Sequence, residues 1–314
     1  QLGLAGLATG VVIGCLVYGT AVRTAKDGAA TLRVAVVQAE SLEGGSQNAS
    51  ALELARAFPG SPPDLFVLPP AAREGGPGTT RKALDLLREF ARERRAAVAA
   101  GLYGAGWPGE EGQENGDGDG DEKDEGMEAP RGAQRNAMVL VDPEGRLRGW
   151  SARHSRPWFL TDAPPGPRPT PVALDDVLVG LCVDTDSYLP RACRRLTRAG
   201  AQVLLTAALD RRAWGTDLAL LNSRLSALRA VENRRWLVRA TRGGVSTVVS
   251  PWGETLRRAP PGLGWAGAEN LALHSDLTLF SRWGWLFGPL SLLAAAAVLV
   301  VNVLAAVRAR RRRL

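Results

Sequence analysis

Short apolar runs alternate with segments of helical spacing through the middle of the chain, from residue 31 to about residue 276. The short runs, bounded by Pro, Gly or charged residues, predict strands at residues 32–39, 64–68, 96–103, 136–142, 177–183, 202–207, 236–241 and 245–250. Apolar positions three and four residues apart predict helices at residues 51–58, 82–95 and 216–234. Strands that alternate with helices over this length predict an α/β fold in which layered sheets are flanked by helices.

An apolar segment precedes this middle region. Residues 2–22 contain no charged residue, and Arg23 and Lys26 follow them. About twenty apolar residues are enough to cross a bilayer core. A cleaved signal peptide would have a basic start and a shorter apolar core. We therefore expect a transmembrane helix at residues 1–23.

A second apolar segment follows the middle region, at residues 283–307. It begins with Trp283 and Trp285 and leads into an arginine-rich tail at residues 308–314. Aromatic residues at one end and basic residues at the other orient a transmembrane helix with its basic end in the cytoplasm. We therefore expect a multi-pass protein of the cell membrane, with the middle region on the extracytoplasmic side. A hairpin of buried core helices is the alternative.

The net charge of +7 does not indicate nucleic-acid binding. Arginine supplies nearly all of it, since Lys26, Lys82 and Lys123 are the only lysines, and much of it lies in the tail beside the second apolar segment. No nucleic-acid-binding motif accompanies the charge. We expect a membrane as a partner and no nucleic acid.

An acidic, glycine-rich segment at residues 104–130 interrupts the strand pattern and predicts a disordered surface loop inserted into the domain. Four of its acidic residues fall at the spacing of a calcium loop: Asp117, Asp119, Asp121 and Glu128. Glu122 stands where such a loop needs glycine, and no predicted helices flank the segment. We therefore expect no metal and no other cofactor.

The chain has three cysteines, Cys15, Cys182 and Cys193, which are too few for a disulfide framework. Cys193 is expected to face a helix packing surface, and it can pair with Cys182 only if the fold brings the two together. Cys182 lies near the end of the predicted strand 177–183, and functional residues of open α/β sheets gather at the carboxyl ends of strands. Cys182 is therefore a candidate nucleophile, and an inert core thiol is the alternative.

Several runs together resemble the nitrilase superfamily of carbon–nitrogen hydrolases. They are residues 34–38, 64–69 and 136–140, the segment around Cys182, and, as the most specific run, residues 228–246. Residues 278–284, which lead straight into the second apolar segment, resemble in particular the extracytoplasmic domain of apolipoprotein N-acyltransferase. The resemblance covers about residues 1–307 and implies a four-layer αββα sandwich over residues 31–276.

This resemblance implies a chemistry that uses Glu, Lys and Cys. In the family the Cys attacks an acyl donor and becomes a thioester, the Glu moves protons, and the Lys stabilises the tetrahedral intermediate. For the acyltransferase the donor is a phospholipid, and the acceptor is the amino group of the N-terminal Cys of a lipoprotein. A phospholipid and a lipoprotein are therefore the partners that the resemblance implies.

Only Cys182 matches this trio when the family's residues are carried over by sequence. Pro70 stands where the Glu is expected, and Ala152 stands where the Lys is expected. Leu160 replaces an expected acidic residue. The family carries a further acidic residue two positions after its Cys, and Asp184 matches it, with a structural hydrogen bond as its alternative role.

Neighbouring residues could take over part of this chemistry. Arg153 would supply positive charge, His154 would act as the base toward Cys182, and Glu74 could reach the site from beyond Pro70. For Arg153 and His154, a place in a polar surface loop is the alternative.

The missing residues predict a weak enzyme. Loss of a positioned base costs roughly 10²–10⁴ in rate, and loss of a cation at the oxyanion costs roughly 10²–10³ more. We therefore expect a membrane-anchored protein similar to the N-acyltransferase, with an impaired site at Cys182, Arg153 and His154. A non-catalytic scaffold that binds a lipoprotein or another partner is the alternative. An amidase acting on a small amide is a third possibility that the apolar flanks disfavour.

Overall fold

The computed structural model describes residues 13–14, 17, 30–39, 47–70, 77–104, 135–155, 166–210 and 215–311. Most of the transmembrane helix predicted at residues 1–23 lies outside this part of the chain. So do the insert beyond Gly104, with its four calcium-loop residues, and residues 312–314 of the tail. The predictions for these segments stay predictions.

Twelve strands and six α-helices make up the described fold. The strands are β1 Thr31–Gln38, β2 Leu65–Leu68, β3 Ala97–Gly104, β4 Arg135–Val141, β5 Leu147–Ala152, β6 Val172–Leu174, β7 Val177–Val183, β8 Val203–Leu209, β9 Trp236–Arg242, β10 Thr247–Val249, β11 Thr255–Arg258 and β12 Trp265–Ala272. The helices are α1 Gln47–Arg56, α2 Pro77–Arg94, α3 Pro190–Arg198, α4 Gly215–Asn233, α5 Leu279–Trp283 and α6 Phe287–Arg311, and two 3₁₀ turns lie at Asp184–Ser187 and Gly284–Leu286.

The strands form two six-stranded sheets. The first has the order β12-β1-β2-β3-β4-β5, and the second has the order β11-β10-β9-β8-β7-β6. Strands β1, β2 and β3 run parallel at the centre of the first sheet, and β7, β8 and β9 run parallel at the centre of the second. The outer strands pair antiparallel. In each sheet, the parallel centre brings the carboxyl ends of three strands to the same side.

Three layers of apolar side chains hold the fold together. The middle layer lies between the sheets and combines residues of both, such as Val36, Leu140, Leu181 and Val238. An outer layer packs α1 and α2 against the first sheet, and another packs α3 and α4 against the second. The arrangement is a four-layer αββα sandwich, as the sequence predicts, and full burial of each large aliphatic side chain contributes about 1.5–3 kcal/mol to it.

The central elements agree with the sequence predictions, whereas four edge strands were not foreseen. Those four are β5, β6, β11 and β12. Strand β11 reads Thr-Leu-Arg-Arg and is mostly exposed, and β12 is rich in small residues that are only half-buried. Such strands lack the apolar run or the alternation that marks a buried strand in the sequence, because their neighbours in the sheet supply the order.

The two ends of the sandwich lie side by side. Strand β12 pairs antiparallel with β1 over its whole length, from Thr31 opposite Ala272 to Gln38 opposite Trp265. Beyond the pair, the backbone N–H of Leu273 donates to the carbonyl oxygen of Ala30 at 2.9 Å. The chain therefore enters and leaves the sandwich at the same place.

Helix α6 follows the sandwich and leaves its apolar side chains uncovered. Leu292 is 73% exposed, Leu293 is 67% exposed and Val301 is 65% exposed. Across the residues described here, no helix combines the length and the hydropathy needed to cross a bilayer. The transmembrane helices predicted at both ends of the sandwich stay predictions.

Candidate functional site at the carboxyl ends of the parallel strands

The carboxyl ends of the central parallel strands meet where the sheets face each other. Pro70 follows β2 and lies against Gly101 of β3. A Cβ added to Gly101 would lie 2.8 Å from the Cβ of Ala207 and 2.9 Å from the Cα of Pro70. Glycine at position 101 therefore leaves the room that Ala207 of the second sheet and Pro70 occupy. Pro70, the residue in the expected Glu position, is therefore at the sheet interface.

Arg242 brings a cation to the same edge. It is the last residue of β9, it is buried, and its Nε donates to the carbonyl oxygen of Pro70 at 3.0 Å. Burial lowers the pKa of Arg242 to about 10. The guanidinium therefore keeps its charge at neutral pH, next to the position where the family carries its acid.

Cys182 lies on the opposite face of the second sheet. Side chains alternate along β7, so that Leu181 and Val183 face the first sheet and Cys182 packs with the helices α3 and α4. Its side chain has no solvent exposure, and its Sγ lies 3.4 Å from the Sγ of Cys193 on α3. The expected packing of Cys193 against a helix surface is confirmed.

The environment of Cys182 also disfavours its thiolate. The hydrogen bond with Cys193, burial, and the nearby charge of Asp186 all raise its pKa, well above the ordinary range for a thiol. The thiolate, not the thiol, is the nucleophile. The nucleophilic role of Cys182 stays a prediction, and this position gives the sulfur neither access to substrate nor activation.

Asp184 occupies the turn at the end of β7. It is the first residue after the strand, begins the 3₁₀ turn, and has a left-handed backbone with φ of +48°. Few residues other than glycine adopt that conformation, and aspartate is among those that tolerate it. The side chain is 17% exposed, and its Oδ2 lies 3.7 Å from Nη1 of Arg153. The sharp turn therefore presents a carboxylate, not a thiol.

Asp186 connects this turn to the loop after β5. Its carboxylate accepts hydrogen bonds from the backbone N–H groups of His154, at 3.0 Å, and Ser155, at 2.6 Å. Burial raises the pKa of Asp186, although these hydrogen bonds and the nearby His154 act in the other direction. The carboxylate fixes the strand-end loop that carries Arg153 against the turn that carries Asp184.

Ala152 and Arg153, at and beside the expected Lys position, point to opposite sides of the first sheet. Ala152 packs in the outer layer with α1 and α2. Arg153, the next residue, is only 2% exposed and reaches across to Asp184, so it is not part of a surface loop. Its predicted role as the cation of the site stays a prediction, with a geometry that fits it.

His154 does not reach the sulfur. Its Nδ1 lies 3.3 Å from the carbonyl oxygen of Gly166, and its backbone binds Asp186, while Cys182 packs on the far side of β7. The predicted Cys–His arrangement is therefore not assembled in this structure. Glu74 and Leu160 lie outside the described residues.

A buried polar network that was not predicted from the sequence lies on the α4 side of the second sheet. Arg239 on β9 is fully buried and donates to both oxygens of Asp210, at 2.9 and 3.1 Å, and to the hydroxyl of Tyr188 at 3.0 Å. Asn222 on α4 donates to the same carboxylate at 2.9 Å. Burial alone would lower the pKa of Arg239, but Asp210 and Tyr188 raise it above its ordinary value.

An aromatic contact also belongs to this network. Arg239 also lies over the ring of Tyr188, with its Cζ 5.2 Å from the ring centroid. Burial is the main cause that raises the pKa of Tyr188. The sequence does contain one signal for this network. Arginines 235, 239 and 242 lie in an otherwise apolar strand region, and a buried arginine requires a partner.

The described residues contain no group of three or more His, Cys, Asp or Glu side chains placed to hold a metal ion. At the carboxyl ends of the strands the described chain places two buried arginines and one turn carboxylate, and the cysteine pair lies apart from them.

Two stacked six-stranded sheets enclosed by helices, with polar groups at the carboxyl ends of the central strands, define a nitrilase-like sandwich. The model of the carbon-nitrogen hydrolase family matches residues 33–263, and the chain belongs to this family. A carbon-nitrogen hydrolase from Helicobacter pylori G27 has the same fold, with a TM-score of 0.59 at 16% identity over 77% of this chain and 89% of that one. An amidase from Nesterenkonia sp. aligns with a TM-score of 0.56 at 18% identity over 78% of this chain and 91% of its own.

Several relatives by sequence are apolipoprotein N-acyltransferases. That of Gloeobacter violaceus is 41% identical over 131 residues, which are 41% of this chain and 24% of the relative. That of Synechocystis sp. is 31% identical over 144 residues, which are 42% of this chain and 26% of the relative. An (R)-stereoselective amidase of Pseudomonas sp is 30% identical over 142 residues, 42% of this chain and 50% of that protein. The matched region therefore spans about a quarter of the acyltransferases.

Proposed function

We propose that this chain is a carbon-nitrogen hydrolase domain, similar to that of apolipoprotein N-acyltransferase, that does not form a thioester and instead binds a lipoprotein at a membrane surface. One observation carries the proposal. The turn at the end of β7 presents Asp184, held by Arg153, while the sulfur of Cys182 is buried on the other face of the sheet.

The position of Asp186 supports a shift of two residues in the comparison with the family. The family pattern has an acidic residue two positions after its nucleophile. Counted from Asp184, that residue is Asp186, which is buried and anchors the loop after β5. On this register Asp184 occupies the place of the nucleophile, and Cys182 is a strand residue two positions before it.

All three reactive positions then hold residues that cannot run the family's chemistry. Pro70 has no ionisable group and offers only its carbonyl oxygen, which already accepts from Arg242. Ala152 packs in the outer layer, and the cation nearest to the turn is Arg153, which does not exchange protons at neutral pH. The aspartate at position 184 faces that cation, where a thiolate would be required.

The charge of the same groups favours binding. Arg153 and Arg242 are buried cations at the carboxyl ends of strands of both sheets, so this edge carries positive charge that favours a carboxylate or phosphate group nearby. Relatives named apolipoprotein N-acyltransferase support an apolipoprotein as the bound partner, with a phospholipid as a second ligand. A bound partner would be held but not acylated.

Helix α6 supports the membrane part of the proposal. The leucines and valines between Leu290 and Leu304 are more than half exposed, among them Leu292, Leu299 and Val301, and water would not stabilise such a surface. We place this helix in a bilayer and the sandwich on the extracytoplasmic side. In cell fractionation the chain should stay with the membranes after a high-salt wash. Recovery of the chain in the soluble fraction would contradict the membrane association of α6.

Acyl trapping tests the catalytic part. The full chain is incubated with a phospholipid labelled in its acyl chain and then treated with hydroxylamine, which releases thioesters. We expect no hydroxylamine-sensitive label on the wild type and none on Cys182→Ser. Label that appears on the wild type and disappears in Cys182→Ser would instead support an N-acyltransferase that works through Cys182, with Arg153 as its cation.

A binding titration tests the partner. A lipidated apolipoprotein peptide is titrated into the reconstituted chain, and both the Kd and the mass of the peptide are followed. We expect saturable binding with no increase in the mass of the peptide. Arg153→Gln should bind more weakly than the control Arg148→Gln, which replaces an exposed arginine of β5 that contacts Asp142. Equal binding by the two variants would argue against the carboxyl-end edge around Arg153 as the binding site.

A further inference from the structure

Helix α3 carries an exposed basic stripe. Four of its nine residues are arginines, none is acidic, and its buried face consists of Ala192, Cys193, Leu196 and Thr197. Arg191, Arg195 and Arg198 are exposed and stand four and three residues apart, so they share one side of the helix. We call these three residues the α3 stripe.

The fourth arginine attaches α3 to the start of the apolar helix. Arg194 Nε donates to the carbonyl oxygens of Phe280, at 3.1 Å, and Ser281, at 3.0 Å, and its Nη2 donates to that of Arg282 at 3.0 Å. Those carbonyls belong to α5, which continues through one 3₁₀ turn into α6. The α3 stripe therefore lies beside the point where the chain enters α6.

Helix α5 adds groups that suit a membrane interface. Leu279 is 50% exposed and Trp283 is 56% exposed, and Arg282 between them is exposed as well. Tryptophan and arginine favour the boundary between lipid headgroups and hydrocarbon, where each has one part in water and one in the apolar layer.

Contacts with α4 hold this surface rigid. Thr278 caps α5, because its Oγ1 accepts from the backbone N–H of Ser281 at 2.9 Å. Ser281 in turn donates to the side chain of Asn233, the last residue of α4, at 3.2 Å. The helices α3, α4 and α5 therefore present one fixed surface next to α6.

We infer that the α3 stripe and the exposed residues of α5 form a docking surface for a membrane rich in anionic phospholipid. The inference rests on the proposed membrane association of α6, whose entry point sets this surface at the level of the headgroups. Two acidic residues adjoin α5: Asp276 precedes it in sequence, and the backbone carbonyl of Glu232 accepts from Thr278. Asp276 is exposed in the segment before α5, and Glu232 is paired with Arg229 at 2.8 Å.

The charge of the surface also gives it a lipid preference. Phosphate groups of zwitterionic lipids are accompanied by cations, whereas anionic lipids leave a net negative surface that attracts arginine. Each arginine near such a surface should strengthen binding about fivefold, so loss of all three should weaken it on the order of 100-fold. The gain should fall as salt is added, because exposed charges are screened.

Vesicle flotation of the full chain tests the inference. The wild type is compared with Arg191→Gln/Arg195→Gln/Arg198→Gln on vesicles of phosphatidylcholine and on vesicles that also contain phosphatidylglycerol. The control, Arg81→Gln/Lys82→Gln/Arg92→Gln, removes the same charge from exposed positions on α2, in the outer layer on the opposite side of the sandwich. Circular dichroism establishes that each variant is folded.

We expect phosphatidylglycerol to strengthen binding of the wild type and the control, but not of the α3 variant. An equal loss in the control would show a mere net-charge effect and overturn the inference, as would a wild type with no preference for the anionic vesicles. Binding to phosphatidylcholine alone distinguishes the docking surface from the proposed membrane association of α6, in case the wild type does not bind these vesicles. Such a failure would count against the membrane role of α6, while a preference that depends on the α3 stripe would still support the docking surface.

Discussion

The sulfur of Cys182 lies 3.4 Å from that of Cys193, within the layer that joins the second sheet to α3. The two thiols are buried together and away from the carboxyl-end edge, where Pro70 and Arg242 meet. Cys182, the candidate nucleophile of the sequence, is therefore part of the packing between a strand and a helix.

The first prediction concerns thiol reactivity. In the folded protein we expect Cys182 and Cys193 to react with N-ethylmaleimide at least about 100-fold more slowly than a model thiol, because burial and the raised pKa of Cys182 leave little accessible thiolate. Alkylation followed by peptide mass analysis measures this, in a Cys15→Ser background. Both residues should react once the chain is unfolded, and rapid labelling of Cys182 in the folded chain would contradict the burial described here.

The second prediction concerns which residue of the turn after β7 occupies the family's nucleophile position. Pro70→Glu combined with Asp184→Cys should produce a hydroxylamine-sensitive acyl label roughly tenfold or more above that of Pro70→Glu alone, since a base and a thiol are then both present at the sheet interface. Labelled phospholipid and a gel readout suffice. The single variant keeps Cys182 and is the matched control. Equal label in both would place the nucleophile at Cys182 instead.

The third prediction concerns the buried pair of Arg239 and Asp210. Asp210→Ala should lower the free energy of unfolding by about 3–5 kcal/mol, because it leaves a buried guanidinium without its carboxylate. Asp210→Leu combined with Arg239→Met should recover part of that loss. Thermal and denaturant unfolding measure both. Replacement of the exposed Asp176 by Ala should change stability by less than about 0.5 kcal/mol.

The fourth prediction concerns pH and Asp186. Its pKa is raised in the folded state, so its contribution to stability is full below the unfolded pKa of about 3.9 and is lost as pH rises through the folded value. Asp186→Asn removes this titration and keeps an oxygen acceptor for the backbone of the loop after β5. The melting temperature of the variant should therefore rise relative to wild type between pH 4 and pH 7. A constant difference over that range would show that Asp186 does not titrate in this way.

Asp186→Ala provides the contrast. It removes the acceptor of two partly buried backbone N–H groups, those of His154 and Ser155, and an unsatisfied group costs up to about 1–3 kcal/mol when it is buried. We expect this variant to be less stable than wild type at every pH. Stability equal to that of Asp186→Asn would mean that the two hydrogen bonds do not hold the loop.

The sequence predicted the central strands and the layered fold because the inner positions of both sheets are continuous apolar runs. It did not locate the turn after β7. Cys182 and Asp184 are two residues apart, so alternation alone places them on the same face of a strand. The left-handed backbone at Asp184 breaks that alternation, and hydrophobicity carries no signal for such a break.

The buried arginines were hidden for a related reason. Arg239 lies in a strand whose every residue is buried, and a sequence pattern shows the charge without showing the partner. Asp210 directly follows β8, and Tyr188 lies just before α3. Only the folded chain brings these two residues to Arg239. Arg153 was identified as a possible cation from its neighbours in sequence, but its contact with Asp184 depends on the packing of the two sheets.

The pairing of β1 with β12 makes the sandwich weak against a force that pulls its two chain ends apart. Tension applied between the segments that precede Ala30 and follow Leu273 would load the eight residue pairs of this ladder one after another, as a zipper opens, and not all together in shear. We therefore expect a low rupture force for this seam in single-molecule pulling. Opening it would detach the edge strand β12 first and leave the parallel centre of the first sheet folded.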